Sequence, residues 1–105
     1  MARRAGPGQG VYAISVAADM AGMTPQALRL YEDRGLLQPD RTPGGTRRYS
    51  QDDLDRLHRI GELLDEGLNI AGIAAVLQLE RDNARLRREN DQMRDQAVPV
   101  TADER

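Results

Sequence analysis

Three arginines and a tyrosine crowd a short stretch of this chain that is rich in glycine and proline. Arg41, Arg47 and Arg48 lie in the segment RTPGGTRRY, which ends at Tyr49. Guanidinium groups make planar, multi-donor hydrogen bonds to phosphate oxygens, and such contacts position a protein on a nucleic-acid backbone. Because little else in this stretch requires positive charge, the pattern predicts a phosphate-binding loop.

A second set of polar side chains comes shortly before this loop, at helical spacing. Gln26, Arg29 and Asp33 are three and four residues apart, so on a helix they share one face. Glutamine can pair with adenine, and arginine can pair with guanine or phosphate. An ordinary solvated face with an Arg29–Asp33 ion pair is the alternative, and the arginine loop shifts the balance towards base recognition. Tyr31 is expected nearer the core, with its hydroxyl able to emerge.

The helix that presents this face has clear boundary signals. Thr24 is a suitable N-cap, Pro25 fits the first helical position, and Gly35 fits a left-handed C-terminal position. A shorter helix precedes it, with Ser15 as its N-cap and an end near Ala21. Two short helices joined by a tight, glycine-containing turn predict a helix-turn-helix.

Packing expectations for this region follow from composition and pattern. The chain has no Phe and no Trp, so the core is expected to be aliphatic. Val16, Met20 and Ala21 are placed on the inner side of the first helix. Residues 11–14 are β-prone and could form one edge strand.

Beyond the second helix, the sequence predicts a small hairpin followed by two more helices. The segment from Leu36 to Arg48 is extended, and Gly44-Gly45 can form the tip of a two-stranded wing. Ser50 and Asp53 have the spacing of a capping box that opens a third helix. Its expected inner stripe is Leu54, Leu57, Ile60/Gly61 and Leu64. Gly67 is expected to stop this helix and Asn69 to cap a fourth, with Ile70, Ile73, Val76 and Leu77 inside.

The fourth helix continues with a seven-residue repeat. Its two series are Val76, Asn83 and Asn90, and Leu79, Leu86 and Met93. These are the a and d positions of a coiled coil, and together with Ile73 they are the predicted dimerisation residues. Parallel pairing would bring Asp82 opposite Arg87 and Glu89 opposite Arg94. A lone polar helix that frays into solvent is the alternative.

Composition excludes several classes of function. There is no cysteine, which rules out disulfides and thiolate metal sites, and the single His58 makes a poor metal site. No nucleophile–base set or phosphate-cradling loop with lysine is present, so an enzyme is not expected. No apolar run approaches the length of a membrane span, and a soluble cytoplasmic protein is the expectation. We predict no cofactor, no metal and no membrane partner.

The distribution of charge along the chain indicates the phosphate-binding region better than the net charge of −2 does. Residues 1–60 contain 9 Arg against 7 acidic residues, and residues 61–105 contain 6 Arg against 10. The basic excess therefore lies in the part with the arginine loop. All 15 basic residues are arginine, which suits phosphate contact, although a GC-rich coding sequence would also explain it.

The motifs together resemble the MerR family of bacterial transcription regulators. The resemblance covers about residues 11–79, most like the heat-shock repressor (HspR) branch. Its residues are Thr24-Pro25, Leu28-Arg29, Tyr31-Glu32, Gly35-Leu36-Leu37, Pro39, Arg41-Thr42, Gly45-x-Arg47-x-Tyr49 and Asp53.

This resemblance implies a mainly α fold: a winged helix-turn-helix with a small β-wing, followed by a C-terminal coiled-coil dimerisation helix. It implies a homodimer on an inverted repeat in promoter double-stranded DNA, with antiparallel dimer helices. The implied DNA contacts are Arg29, Tyr31, Arg47 and Tyr49, and Gln26 is the implied base reader. Glu32 is expected to be structural.

The full set of expected DNA-binding residues is completed by Arg41, Arg48 and the two helix-start residues Ser15 and Thr24.

The heat-shock branch also implies a chaperone co-regulator, although its members often end in an apolar tail and this chain ends in the polar VPVTADER. We expect a disordered arm over 1–10, a DNA-binding domain over 11–75, a dimerisation helix over 76–96 and a disordered tail over 97–105. A protein–protein adaptor that recruits a chaperone through the C-terminal helix is the alternative function.

Overall fold

A computed structural model describes residues 6–96, which form four helices and one two-stranded antiparallel sheet. The elements are α1 (Ile14–Ala21), α2 (Pro25–Asp33), β1 (Asp40–Arg41), β2 (Arg47–Arg48), α3 (Gln51–Asp65) and α4 (Ile70–Gln96). The chain divides into two compact units, one ending at Ala74 and the other beginning at Ala75. The predicted tail over 97–105 lies outside the described residues.

The helix-turn-helix forms as predicted, with one change at its start. The Thr24 hydroxyl accepts a hydrogen bond from the Ala27 N–H at 3.1 Å, and Gly35 ends α2 with a φ of 78°. Ser15 is not the N-cap of α1, because the helix begins at Ile14, two residues before the start that a Ser15 cap predicts, and Ala13 occupies the cap position without a side-chain bond.

The inner face of α1 also differs from the prediction. Ala17 and Ala18 are buried, whereas the side chains of Val16 and Met20 are 46% and 48% exposed. Helix α1 packs against both α2 and α3. Small side chains let helices approach closely, so the alanine face turns inward and the larger residues turn to solvent.

Two tyrosines lie in the core, which is therefore not purely aliphatic. Tyr49 is fully buried and Tyr31 is only 6% exposed. The remaining buried core of the first unit consists of alanine, leucine and isoleucine. These residues are Ala17, Ala18, Leu28, Leu36, Leu37, Leu54, Leu57, Ile60, Leu63 and Ile73.

The hairpin is short and closely bonded. Asp40 pairs with Arg48 and Arg41 with Arg47, and the Thr42 N–H donates to the Thr46 carbonyl at 2.8 Å. Of the two tip glycines, only Gly45 has a positive φ, at 88°. No strand forms over 11–14, where the only sheet-like contact is an isolated bridge from Tyr12 to Tyr49.

From Gly6 onwards, the segment predicted as an arm over 1–10 is bonded to the hairpin and to the start of α3, and its first five residues lie outside the described residues. The Gly10 N–H donates to an Asp40 carboxylate oxygen at 2.9 Å, and the Pro7 carbonyl accepts from the Asp52 N–H at 3.0 Å. A Cβ atom at Gly10 would lie 2.9 Å from the Arg48 carbonyl carbon, so only glycine fits this close approach.

The capping box of α3 is present with both of its bonds. The Asp53 N–H donates to the Ser50 hydroxyl at 3.0 Å, and the Ser50 N–H donates to the Asp53 carboxylate at 2.8 Å. The buried stripe is Leu54, Leu57, Ile60 and Leu63, whereas the predicted Leu64 is 39% exposed. Gly67 ends the helix with a φ of 93°, as expected.

Replacing Ser50 with alanine should lower the free energy of unfolding by about 1–2 kcal/mol, because it removes an N-cap that is 4% exposed. Urea unfolding measures the change, and the exposed cap variant Thr24→Ala is the control, expected to cost less. Equal costs for the two variants would show that burial adds nothing to the Ser50 cap.

Helix α4 starts with the predicted cap and carries an exposed repeat. The Asn69 side-chain oxygen accepts from the Gly72 N–H at 2.8 Å, and Leu77 is buried. Ile70 and Val76, predicted to lie inside, are only partly buried. Among residues 6–96, no helix combines the length and hydrophobicity that crossing a membrane requires.

Candidate nucleic-acid interface

The outer face of α2 presents the predicted base-reading residues to solvent. Gln26, Arg29 and Asp33 are all exposed, and Gln26 lies in the first turn of the helix. Within residues 6–96, neither a hydrogen bond nor an ion pair joins Arg29 to Asp33. The ion pair that would have made this face merely structural is therefore not formed.

The wing arginines meet a carboxylate that belongs to α2. An Nη atom of Arg41 lies 2.7 Å from one oxygen of Glu32, and Nε of Arg47 lies 2.5 Å from the other. Arg41 also donates to the Gly45 carbonyl at 3.0 Å. One carboxylate thus connects both strands of the hairpin to the helix, and we name Glu32, Arg41 and Arg47 the wing clamp.

This arrangement corrects one premise drawn from the sequence. The positive charge of the loop has a partner within the protein, since Glu32 accepts from two of its arginines. The side chains of Arg41 and Arg47 remain 46% and 28% exposed, whereas that of Glu32 is 19% exposed. Both arginine side chains therefore remain partly accessible from solvent.

Electrostatics keep the wing clamp charged. Burial alone would raise the pKa of Glu32, but hydrogen bonds and charge from Arg47 and Arg41 outweigh it, so the pKa is lowered. The same carboxylate raises the pKa of Arg47. The clamp therefore stabilises the fold above the ordinary pKa of glutamate, and this contribution is lost as the pH falls through the lowered value.

Arg48 belongs to the other cross-strand pair. It is partly buried, its partner in register is Asp40, and one Nη donates to the Arg47 carbonyl at 3.2 Å. Because side chains alternate along a strand, this pair faces away from Glu32 and towards the segment around Gly10.

Tyr49 is not at the surface, contrary to its expected role as a DNA contact. Its side chain is fully buried, and its hydroxyl has no hydrogen-bond partner within the described chain. Burial raises the pKa of the phenol, and the charge of Arg47 partly offsets this. Tyr31 is also buried, at 6% exposure. Both tyrosines are therefore core residues of the first unit.

The helix-start residues Ser15 and Thr24 are both exposed, and the Thr24 hydroxyl is already engaged in capping α2. Ser15 lies in the first turn of α1. Their contact with DNA stays a prediction.

The predicted dimerisation residues fall into two groups. Ile73 is fully buried in its own chain, so it is a core residue and not part of a free dimer face. Leu79, Leu86 and Met93 are 66%, 54% and 67% exposed. Asn83 and Asn90 are exposed and Val76 is partly buried.

The charges flanking this stripe are already paired within the helix. Arg85 lies 3.1 Å from Glu89 and 4.0 Å from Asp82. These two acidic residues are the ones that parallel pairing would join to Arg87 and Arg94 of a second chain. The orientation of the dimer helices stays a prediction.

Over residues 6–96, no group of three or more His, Cys, Asp or Glu side chains is arranged to hold a metal ion. His58 is exposed on α3.

Comparison with known proteins decides the family. The model of the MerR HTH family regulatory proteins matches residues 12–80, more than half of the chain. The chain belongs to the MerR family. The sequence resemblance is thereby confirmed, as is the mainly helical fold with its small antiparallel sheet and long C-terminal helix.

Several MerR-family relatives are similar over most of this chain. A Streptomyces coelicolor protein named as heat shock protein HspR is 49% identical over 77 residues, which are 72% of this chain and 51% of that protein. The HTH-type transcriptional regulator GlnR of Bacillus cereus is 38% identical over 80 residues, which are 76% of this chain and 60% of that protein. This chain therefore spans 51% and 60% of the two curated relatives.

A solved MerR-family structure has the same fold. HiNmlR, a regulator lacking the sensor domain and crystallised with promoter DNA, superposes with a TM-score of 0.63 and 26% identity. The match covers 79% of this chain and 67% of that one.

Sequence reasoning about this MerR-family chain missed the wing clamp. Glu32 was expected to be structural, but its partners were not predicted, because they lie 9 and 15 residues further along the chain. One signal was available: two strand arginines in register would repel each other unless an anion faced them. A contact from Arg56 Nε to the Leu36 carbonyl, which ties α3 to the segment after α2, was also missed.

Proposed function

We propose that this chain is a sequence-specific, double-stranded DNA-binding transcription regulator of the MerR type. One observation carries the proposal: the wing clamp bonds the arginine hairpin to α2, the same helix that exposes Gln26 and Arg29. A helix face with base-reading side chains and an adjacent loop with phosphate-binding side chains are the two parts of such an interface. The DNA-bound relative HiNmlR supports the same conclusion.

The active form in this proposal is a homodimer on an inverted repeat. The exposed stripe of Leu79, Leu86 and Met93 would be covered by the same stripe of a second copy. Two recognition helices related by a two-fold axis require a near-palindromic site, with half-sites one DNA turn, about 34 Å, apart or multiples of it. The recognition helices enter the major groove while the wing arginines contact flanking phosphates.

The relation to a protein named HspR extends the proposal to repression of stress-response genes. A chaperone co-regulator and a place with the bacterial nucleoid in the cytoplasm belong to this finer proposal. A pure protein–protein adaptor is not favoured, because the relatives are named as transcription regulators and the clamp organises a surface suited to DNA.

Selection of duplexes from a random pool by the purified protein tests the function. We expect enrichment of an inverted repeat and a two-fold symmetric footprint, with affinity that falls steeply as salt rises. Absence of any enriched sequence, with affinity independent of salt, would contradict the proposal.

Replacing Gln26 with alanine should relax the preference at one base pair in each half-site. The expected loss of discrimination is about 1–3 kcal/mol, because a bidentate glutamine–adenine pair is removed. Titration of duplexes that differ at single positions of the selected site measures it. Gln78→Ala, at an exposed position on α4, is the control. An unchanged preference profile would remove Gln26 from the set of reading residues.

A further inference from the structure

The wing clamp places an anion of the protein where a DNA phosphate would bind. Each oxygen of Glu32 accepts from a different arginine, at 2.7 Å from Arg41 and 2.5 Å from Arg47. Charge-assisted hydrogen bonds from guanidinium to carboxylate and to phosphate oxygen have the same geometry and similar strength. Glu32 and a phosphate group therefore compete for the same donors.

The register of the hairpin makes this anion necessary for the free protein. Arg41 and Arg47 are directly opposite each other on the two strands. Like charges in opposed positions repel and destabilise a strand pair, and this pair comprises only two residues in each strand. Glu32 neutralises the repulsion and links both strands to α2, so the hairpin is held in one orientation relative to the recognition helix.

Position along α2 connects the clamp to sequence reading. Glu32 follows Arg29 by three residues, which places it on an adjoining part of the same helix face. Its side chain is only 19% exposed, and both of its carboxylate oxygens are bonded to wing arginines. A change at Glu32 therefore alters the hairpin directly and leaves the exposed Gln26 and Arg29 side chains in place.

We propose that Glu32 is a positioning residue that sets the specificity of DNA binding, by withholding Arg41 and Arg47 from phosphates of random DNA and by fixing the wing beside α2 for the correct site. This inference rests on the proposed function. On random DNA, Arg41 and Arg47 exchange the Glu32 carboxylate for a phosphate, so the free energy of binding becomes only slightly more favourable. On the correct site, base contacts from α2 add to a wing that is already in place, so affinity rises without a cost of ordering.

The test compares Glu32→Gln with Glu62→Gln. Both variants remove one negative charge from the first unit, and Glu62 forms an exposed i,i+3 pair with Arg59 on α3. Affinity is measured as a function of salt for a random-sequence duplex and for the duplex selected by the wild-type protein.

Glu32→Gln should raise affinity for random DNA by about three- to tenfold at low salt, and its salt slope should steepen by about 0.9 for each arginine that turns to a phosphate. Affinity for the selected site should rise less or fall, so the ratio of specific to random binding decreases. Glu62→Gln should leave this ratio unchanged.

A purely structural role predicts a different pattern. In that case Glu32→Gln lowers both affinities together, with no change in slope or ratio, and this result would overturn the inference. The charged variant Glu32→Asp provides a second test, because its shorter side chain cannot reach both arginines; it should shift the ratio in the same direction by a smaller factor. If the wild-type protein shows no salt-dependent DNA binding, the proposed function itself fails, which is a separate outcome.

Discussion

Leu86→Asp should convert the proposed homodimer to a monomer and lower affinity for the proposed inverted repeat by at least about 100-fold. Leu86 is 54% exposed and lies in the middle of the seven-residue series with Leu79 and Met93. A buried charge without a partner at a dimer seam costs several kcal/mol, and each 1.4 kcal/mol is a tenfold change in affinity. Sedimentation equilibrium should then give the chain mass of 11.7 kDa instead of twice that value.

The matched control for this variant is Ala84→Asp. Ala84 is exposed on the same helix but lies outside both seven-residue series, so the same charge is added away from the proposed seam. It should leave the dimer and the DNA affinity unchanged. If Leu86→Asp remains a dimer with full affinity, the proposed dimer face is wrong.

Tyr49→Ala should lower the free energy of unfolding by about 3–5 kcal/mol, because it leaves a cavity where the largest fully buried side chain of the core had packed. That loss is a large fraction of the roughly 5–15 kcal/mol typical of a folded domain. Thermal and urea unfolding measure it. The expected cost follows from burial alone and does not depend on DNA.

Tyr49→Phe separates burial from DNA contact. The Tyr49 hydroxyl is buried and has no hydrogen-bond partner among residues 6–96, and such a group typically costs about 1–3 kcal/mol. Its removal should therefore stabilise the protein by about 1 kcal/mol and leave DNA affinity unchanged. Tyr12→Phe, at a partly buried position, should change stability by less than about 0.5 kcal/mol. A large loss of affinity with unchanged stability would instead make the hydroxyl a DNA contact, as the family resemblance implied.

Leu86 and Tyr49 show what spacing along the sequence indicates and what it does not. The Leu79, Leu86 and Met93 series is visible from spacing alone, and all three side chains are exposed, while their role in a dimer stays a prediction. For Tyr49, the family resemblance implied a DNA contact from the wing. Its side chain turns inward, since β2 ends there and its backbone bonds to Tyr12 instead. Local sequence does not reveal which face of a two-residue strand will be covered.

Local hydrogen bonding explains what the sequence by itself determined. The Thr24 cap, the Ser50–Asp53 capping box and the Asn69 cap each join groups no more than three residues apart, so residue types and spacing specify them. Gly35 and Gly67 end their helices because left-handed backbone favours glycine. The existence and order of the helices and the wing follow from these signals.

Only the tertiary structure decided which side chains face one another. Leu63 rather than Leu64 is buried on α3, and Ala17 and Ala18 rather than Val16 and Met20 are buried on α1, because neighbouring helices select the face that allows close packing. The wing clamp likewise depends on strand register and on where α2 ends relative to the hairpin. Glu32 bonds to arginines 9 and 15 residues away only because the folded chain brings them within hydrogen-bond distance. The energy of an ion pair depends on the distance between the two charges in space and not on their separation along the sequence.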